Sequence, residues 1–351
     1  MTSTASEIPG GDVVHVTFDD VIFRVQSARG ATMYWRHLLA ELAQRPDVDI
    51  DRREARSHLS RYLPLIAPTG VVHSSLFRRG VPGRGQRVVM TAHDLAYERR
   101  FIDGRRAHFG RLERSIAIHG ADGIVCVSNA THEDLVDYYG RHLDGKAITV
   151  AAHGPSVPRV GHHGVELHDP SERRLLLHVG HRDSYKNFET VRSALRNHPE
   201  FGDEVAIVVV GPPPGLHEND LVTVPRSGEA WTLPSTGQLF YLGRVTDNDL
   251  SGLYQSVDAT LCPSRFEGFG FPVLDALHHG CPVICSRIPS HVEIAGDLAT
   301  YFDPDDPESL ADALAERRAL PSDTADAMLS RFNWTASAEA HVILYQQLGA
   351  R

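Results

Sequence analysis

The sequence predicts an α/β chain built from two doubly wound units, each a mostly parallel sheet with helices on both faces. Short β-branched runs alternate with amphipathic segments from Val13 onward, the signature of parallel strands joined by crossover helices. The alternation lapses once, over HGPSVPRVGHHGVELHDP (153–170), where Gly, Pro and His gather, and then resumes. At 351 residues the chain also exceeds what one hydrophobic core usually serves.

In the first unit the expected strands are Val13–Phe18, Val71–His73, Arg87–Thr91, Gly123–Val127 and Ile148–Ala152. Helical patterns at Ala31–Gln44, His108–His119 and Ser128–Tyr139 separate most of them, with Ser128 as an N-cap. The second unit offers strands Leu175–Val179, Val205–Val210, Leu239–Leu242, Ala259–Leu261, Val283–Cys285 and Thr300–Phe302. Its helices are Phe188–Leu195, Asp247–Ser256 behind Thr246, Pro272–His279, and Pro307–Leu320 behind Asp306. Pro212–Gln238 has no period and reads as a long functional loop, and Trp334–Leu348 as an isolated amphipathic helix. The domain expectation is therefore 1–160, 161–330 and a C-terminal helix, 331–351, that packs back on the first domain.

Composition narrows the function classes. Hydrophobic residues make up 42% and charged residues 23%, and no apolar run approaches the ~18 residues of a membrane helix. The N-terminus has neither the basic start nor the apolar stretch of a secretion signal, so a cytoplasmic location is expected, with contact at the inner membrane face left open. Four cysteines are too few for a disulfide framework, and the 21 histidines lack metal-site spacing, so no metal is expected. Charge is unevenly divided: residues 1–165 hold 21 Lys+Arg against 18 Asp+Glu, whereas 166–351 hold 14 against 27. Arginine clusters at Arg52-Arg53-Arg56, Arg78-Arg79 and Arg99-Arg100-Arg105-Arg106 fit an anionic acceptor or membrane surface as well as ordinary solvated faces. No nucleic-acid partner is expected. Only Lys146 and Lys186 are lysines, so a lysine kept where arginine is the habit draws notice.

Two segments carry chemistry. In PSRFEGFGFPVLDALHHGCPVICS (263–286) a loop with Gly268 and Gly270 runs into Pro272, a favoured opening residue of a helix, which places backbone N–H groups and a helix dipole where an anion binds. Glu267 precedes the loop and Asp275 is expected in the first helical turn, so two carboxylates flank the anion position. In HVGHRDSYKNF (178–188) a strand and a glycine turn lead to a helix, and both Arg182 and Lys186 are within reach of a diphosphate.

Together these segments resemble the donor domain of family 4 of the glycosyltransferases, which have the GT-B fold of two Rossmann-like domains facing a central cleft. The first half agrees: FRVQSARGATMYW (23–35), Val71–Ser75, VVMTAHD (88–94), GIVCVSNAT (123–131) and Ala152–Gly154 occur in the family's order. The resemblance spans about Val13 to Leu348 and implies a retaining transfer of a hexose or deoxyhexose from a nucleotide diphosphate sugar to a hydroxyl acceptor, one expected to be metal-independent because Arg182, Lys186 and the helix N-terminus before Val273 supply the positive groups at the diphosphate. That acceptor is a glycan, a lipid-linked sugar or a small molecule, and GDP-mannose is the preferred donor, ahead of UDP-hexose and dTDP-deoxyhexose. It further implies that Arg182 and Lys186 neutralise the diphosphate, Glu267 meets the transferred sugar, and Asp275 holds the ribose. By the same resemblance Gly268, Phe269, Gly270 and Phe271 line the sugar and phosphate pocket, Arg244 and Val245 lie beside the base, His93 approaches from the opposite domain, and Gly30 lies under the diphosphate. Two departures stand out: Asp275 where the family has glutamate, and Arg29-Gly30 in place of Gly-Gly. A nucleotide-sugar epimerase or hydrolase on the same fold, or a non-catalytic nucleotide-sugar-binding subunit, are the competing readings. A dehydrogenase is disfavoured because neither half carries a Gly-x-Gly-x-x-Gly turn.

Overall fold

The structure, a computed structural model, describes residues 13–25, 30–66, 70–78, 85–161, 165–180, 184–211, 230–233, 235, 237–316, 320 and 327–349. The strands are β1 (Val14–Asp19), β2 (Val48–Arg53), β3 (Gly70–Ser74), β4 (Gln86–Ala92), β5 (Gly123–Cys126), β6 (Ala147–Val150), β7 (Glu166–His168), β8 (Arg174–Val179), β9 (Val205–Val210), β10 (Ala230–Thr232), β11 (Leu239–Gly243), β12 (Ala259–Cys262), β13 (Val283–Ser286) and β14 (Ala299–Phe302). The helices are α1 (Val21–Val25), α2 (Gly30–Leu42), α3 (Arg105–Gly120), α4 (Asn129–Tyr139), α5 (Phe188–Asn197), α6 (Phe201–Glu204), α7 (Asp247–Ser256), α8 (Phe271–His278), α9 (Pro289–Ala295), α10 (Pro307–Ala315) and α11 (Trp334–Gly349).

Two six-stranded sheets result, ordered β2-β1-β3-β4-β5-β6 and β11-β9-β8-β12-β13-β14, with β7 and β10 forming a small third pair. All pairings within the two large sheets are parallel. The runs Val205–Val210 and Ala259–Cys262 are apolar and nearly wholly buried because helices cover both faces of a parallel sheet. Counting within the second sheet, the order is 3-2-1-4-5-6, so its direction reverses between β8 and β12, where the loops that follow two neighbouring strands diverge and leave a crevice.

Helix starts follow the chemistry of their caps. Ser128 accepts from the Thr131 amide at the start of α4, Thr246 and Asp249 form a reciprocal capping box on α7, and Asp306 accepts from Glu308 at α10. Strand β2 escapes sequence reading because its run, Val-Asp-Ile-Asp-Arg-Arg, lies at a sheet edge with charged side chains in solvent. The stretch at 153–170, expected to be an irregular linker, contains β7.

Helix α11 returns from the second sheet to pack against α2 and the strands of the first. Its polar side chains reach two buried partners: His341 Nε2 accepts from the Tyr34 hydroxyl at 2.8 Å while its Nδ1 donates to the Ser337 carbonyl, and the Tyr345 hydroxyl meets His73 Nδ1 at 2.7 Å. A single apolar cluster runs from Val16 and Val125 in the first sheet through Trp334 to Leu177 in the second and Val273 of α8, so the two sheets share a core. All four cysteines are free and buried. No helix among the described residues is long and apolar enough to cross a membrane.

Candidate active site

The crevice between β8 and β12 holds an ion pair. Lys186 closes the short 3-10 turn Ser184–Lys186 that follows β8, and Glu267 follows β12. Lys186 Nζ donates to Glu267 Oε1 at 2.6 Å, and Ser264 Oγ donates to the same oxygen at 2.6 Å. The two side chains keep only 19% and 14% of their exposure. Burial by itself would raise the Glu267 carboxyl, yet the ammonium beside it, with smaller help from His291 and Ser264, holds it below the usual carboxylate range. Burial pulls the other way on Lys186, whose ammonium Glu267 raises above the ordinary lysine value. At neutral pH the pair is therefore charged on both sides.

Next to the pair, Gly270 takes φ 124° as the N-cap of α8, a conformation that a side chain rarely adopts. A Cβ there would also lie 3.2 Å from the His291 ring. Val273 and Leu274 return their amides to the Gly270 carbonyl and Pro272 has none, so the amides of Gly270 and Phe271 are the donors that the positive end of this helix turns toward the loop. His291 lies in α9, donates Nδ1–H to the Ser286 carbonyl at 3.0 Å, and is pushed down to about 4 by burial.

The first sheet supplies the opposite wall. His93 follows β4, and its backbone packs so closely on Gly268 that a Cβ at Gly268 would fall 1.7 Å from the His93 carbonyl oxygen. Ser128 and Thr131, at the start of α4, donate their hydroxyls to the Gly268 carbonyl, Thr131 at 2.8 Å. One turn away Glu293 of α9 accepts from the amides of Asn129 and Ala130, each at 2.9 Å, so the N-terminus of α4 grips the second sheet through both a carbonyl and a carboxylate. Gly30, the first residue of α2, lies 3.4 Å from the Phe271 ring when given a Cβ. His153 is sandwiched between Phe269, 3.7 Å between ring centroids, and Trp334, stacked at 5.1 Å.

His93 itself meets Tyr34 edge-on at 4.8 Å, and its shielded Nε2 has no hydrogen-bond partner among the described residues. Burial pushes the imidazole down to about 4, so it is neutral at pH 7. Arg114 holds the neighbouring residue: it donates to the Asp94 carbonyl at 2.8 Å and to its carboxylate at 3.2 Å, while its guanidinium lies 4.6 Å from both the Phe77 and Tyr97 rings.

Of the residues singled out in the sequence, the structure brings Glu267, Lys186, Gly268, Phe269, Gly270, Phe271, His93 and Gly30 around one crevice. Arg182 lies outside the described residues, as does most of 212–238. Arg244 is exposed after β11, and Val245 packs partly buried on the core. Asp275 requires a correction. Helix α8 begins at Phe271, so Asp275 is its fifth residue and not in the first turn. Its carboxylate is buried and accepts from Ser156 N and Ser156 Oγ, both at 2.6 Å, and from Val157 N at 3.3 Å. Three donors of the linker between the sheets thus reach the carboxyl group, and burial outweighs these bonds to push it up to about 7. The sequence reading missed His291, Glu293, Arg114, Thr131 and Ser156; the last four act through partners 20 to 164 residues distant, as in the Arg114–Asp94 and Asn129–Glu293 pairs, and His291 through its place against Gly270. Ser128 alone had a local signal, as an N-cap.

Comparison with known proteins agrees with this architecture. Residues 52–155 match the family described as Glycosyltransferase Family 4, and residues 165–327 that described as Glycosyl transferases group 1. The chain belongs to glycosyltransferase family 4. Over 285 residues this family 4 chain is 27% identical to D-inositol 3-phosphate glycosyltransferase of Corynebacterium jeikeium, covering 74% of the present chain and 66% of that protein. It is 41% identical over 75 residues to the O-antigen chain mannosyltransferase B of Escherichia coli, 21% of this chain and 20% of that one. The matches therefore span less than two thirds of these relatives' length. Among solved structures, sucrose-phosphate synthase from Thermosynechococcus elongatus superposes with TM-score 0.66 at 16% identity, over 96% of this chain and 99% of that one. An E. coli trehalose-6-phosphate protein bound with UDP-2-fluoro glucose gives 0.62 at 10% identity, over 95% and 99%. At such identities the likeness concerns the fold, which is GT-B.

Proposed function

We propose that the protein is a retaining hexosyltransferase that moves a sugar from a nucleotide diphosphate donor, GDP-mannose by preference, onto a hydroxyl acceptor. The observation that carries this reading is the ionised Lys186–Glu267 pair in the switch-point crevice, beside the N-terminus of α8 and opposite neutral His93. Breaking a sugar–diphosphate bond produces an oxocarbenium-like transition state while negative charge gathers on the leaving phosphate. Lys186 and the helix terminus are positive groups beside the position where that charge develops, with Arg182 assigned to the same task by its place in the sequence motif, and together they stabilise it without a divalent metal. Glu267, kept ionised, faces the sugar carrying the positive charge, and neutral His93 approaches the sugar from the other wall. The mannosyltransferase relatives favour mannose as the sugar. Acceptor attack on the face the phosphate leaves gives retention. Contact with an anionic membrane face through the arginine-rich N-terminal half belongs to the same reading.

The test is to incubate the protein with GDP-mannose, UDP-glucose and dTDP-sugars plus a panel of hydroxyl acceptors, and to read the anomeric configuration of the product by NMR. Release of GDP with an α-linked mannoside supports the proposal. An inverted product, or turnover only without acceptor, refutes it.

A further inference from the structure

Outside the crevice, α3 is arranged in an unusual way. Its inner face buries Ala107, Ala117, Ile118 and a charged residue, Arg114, while its outer face leaves Phe109, Leu112 and Ile116 exposed. These three follow one another at spacings of three and four residues, so they form one stripe along the helix. The stripe continues onto the 3-10 turn His58–Tyr62, because the rings of Tyr62 and Phe109 meet edge-on at 6.0 Å and Arg61 bridges to Glu113 of α3 at 2.8 Å. Leu59 and Leu63 extend it, Leu63 retaining 61% of its exposure and Leu112 53%. Scattered apolar residues on a surface need no explanation, but a contiguous set with two aromatic rings does.

Charge identifies what covers it. Residues 52–66 contain four arginines and one acid, Glu54, in a chain whose net charge is −10. Arg61 among them is matched by Glu113, and farther along Arg114 is turned inward onto Asp94 and Glu98 and Arg99 pairs with Asp134 and Asp137, so the outward positive charge comes from the other arginines. Arg52 and Arg56 are exposed beside the turn, and α3 opens with Arg105 and Arg106. An apolar stripe rimmed by arginine is the surface pattern of a helix lying in a lipid interface, apolar side chains among the acyl chains and guanidinium groups among anionic headgroups. A second copy of the chain fits less well, since a two-fold contact through this face would set each arginine rim against itself.

We propose that the outer face of α3, together with the His58–Tyr62 turn and Leu63, is the surface by which the protein lies on an anionic lipid bilayer. This rests on the membrane contact proposed above and gives it a location; it is independent of the donor site. The inner face of the same helix holds Asp94 beside His93, so the surface that docks is one element away from the crevice.

Flotation of the full-length protein with vesicles of phosphatidylcholine alone, and of phosphatidylcholine with phosphatidylglycerol, tests it. The expected result is binding to the phosphatidylglycerol vesicles that weakens with added salt. Arg52→Gln with Arg56→Gln lowers affinity about 25-fold, about fivefold for each arginine. Phe109→Ser with Leu112→Ser lowers it by more than about tenfold. Nucleoside diphosphate binding, measured by calorimetry on the same preparations, stays at the wild-type value and shows that the variants are folded. Equal flotation of wild type and both variants overturns the location while leaving membrane contact standing. Failure of the wild type to float with either vesicle overturns both. Light scattering that shows a dimer which Phe109→Ser with Leu112→Ser converts to monomer, without vesicle binding, assigns the face to a second copy and likewise overturns the proposal.

Discussion

Substituting Gly268 by alanine should separate the two walls of the crevice without removing any charged group. The added methyl would lie 1.7 Å from the His93 carbonyl oxygen, 2.7 Å from its carbonyl carbon and 2.9 Å from Asp94 Cβ. The first two are backbone atoms, so no rotamer change relieves the overlap. Contacts of a Cβ below 3.0 Å are not sustained, and the loop and the His93 strand end must therefore part by at least about 1.3 Å. That displacement lengthens the 2.8 Å bond from Thr131 to the Gly268 carbonyl beyond hydrogen-bond range, and the Ser128 bond with it. Glu293 still holds Asn129 and Ala130, so the sheets stay associated. A misplacement of about 1 Å between reacting groups costs on the order of a hundredfold in rate. Gly268→Ala is accordingly expected to lower kcat/KM for sugar transfer about a hundredfold, while nucleoside diphosphate affinity by calorimetry falls much less, because Lys186 and α8 stay together on the same side of the crevice. A variant with wild-type kcat/KM would show that the closure seen between Gly268 and His93 has no part in the reaction.

Lys186→Met strips Glu267 of its counter-ion; breaking such a pair costs ~3 to 5 kcal/mol when fully buried, and the residual exposure of 14 to 19% brings the expected loss to about 2 to 3 kcal/mol in urea unfolding. Adding Glu267→Gln should recover most of that stability but not transfer activity, and a single variant as stable as wild type would refute the coupling. Stability should also fall in acid. His93, His291 and His341, at about 4, and His153, at about 3, are buried neutral, whereas the unfolded chain protonates below pH 6.5. Their contribution is whole above pH 6.5 and is lost as pH falls toward 4, each with a slope of about 1.4 kcal/mol per pH unit. Asp275, raised to about 7, has the opposite slope, leaving about 4 kcal/mol per unit near pH 5 from these five groups together, to which buried His73 adds in the same direction as the other histidines. Calorimetric Tm values at pH 7.5 and 5.5 check this, and a pH-independent Tm refutes it. Asp275→Ala, which leaves the Ser156 and Val157 donors unpaired, should cost about 3 kcal/mol of stability with little change in nucleotide affinity; a fall of about 10 to 150 fold in affinity at unchanged stability would return Asp275 to the ribose.

Much of the framework was legible in the residues. Apolar runs such as Val205–Val210 and Ala259–Cys262 can be satisfied only between two helical layers, and caps such as Ser128 and Thr246 act on amides two or three residues away, so both are local facts. The glycine loop opening a helix at Gly268–Pro272 and the lysine retained at 186 mark the crevice for the same reason: backbone conformation and charge at those positions depend on near neighbours. What the sequence by itself determined was therefore two parallel sheets and the elements bordering their ends. Tertiary structure decided the pairings. Lys186 and Glu267 are 81 residues apart, Ser128 and Gly268 140, and Ser156 and Asp275 119, and each pair exists only because strand order and interdomain packing bring distant segments together. Asp275 shows the difference most directly. Its position in the chain shows only that it follows the glycine loop, whereas the donors that reach a buried carboxylate are those the fold places nearest, and here they include the amides and hydroxyl of the linker.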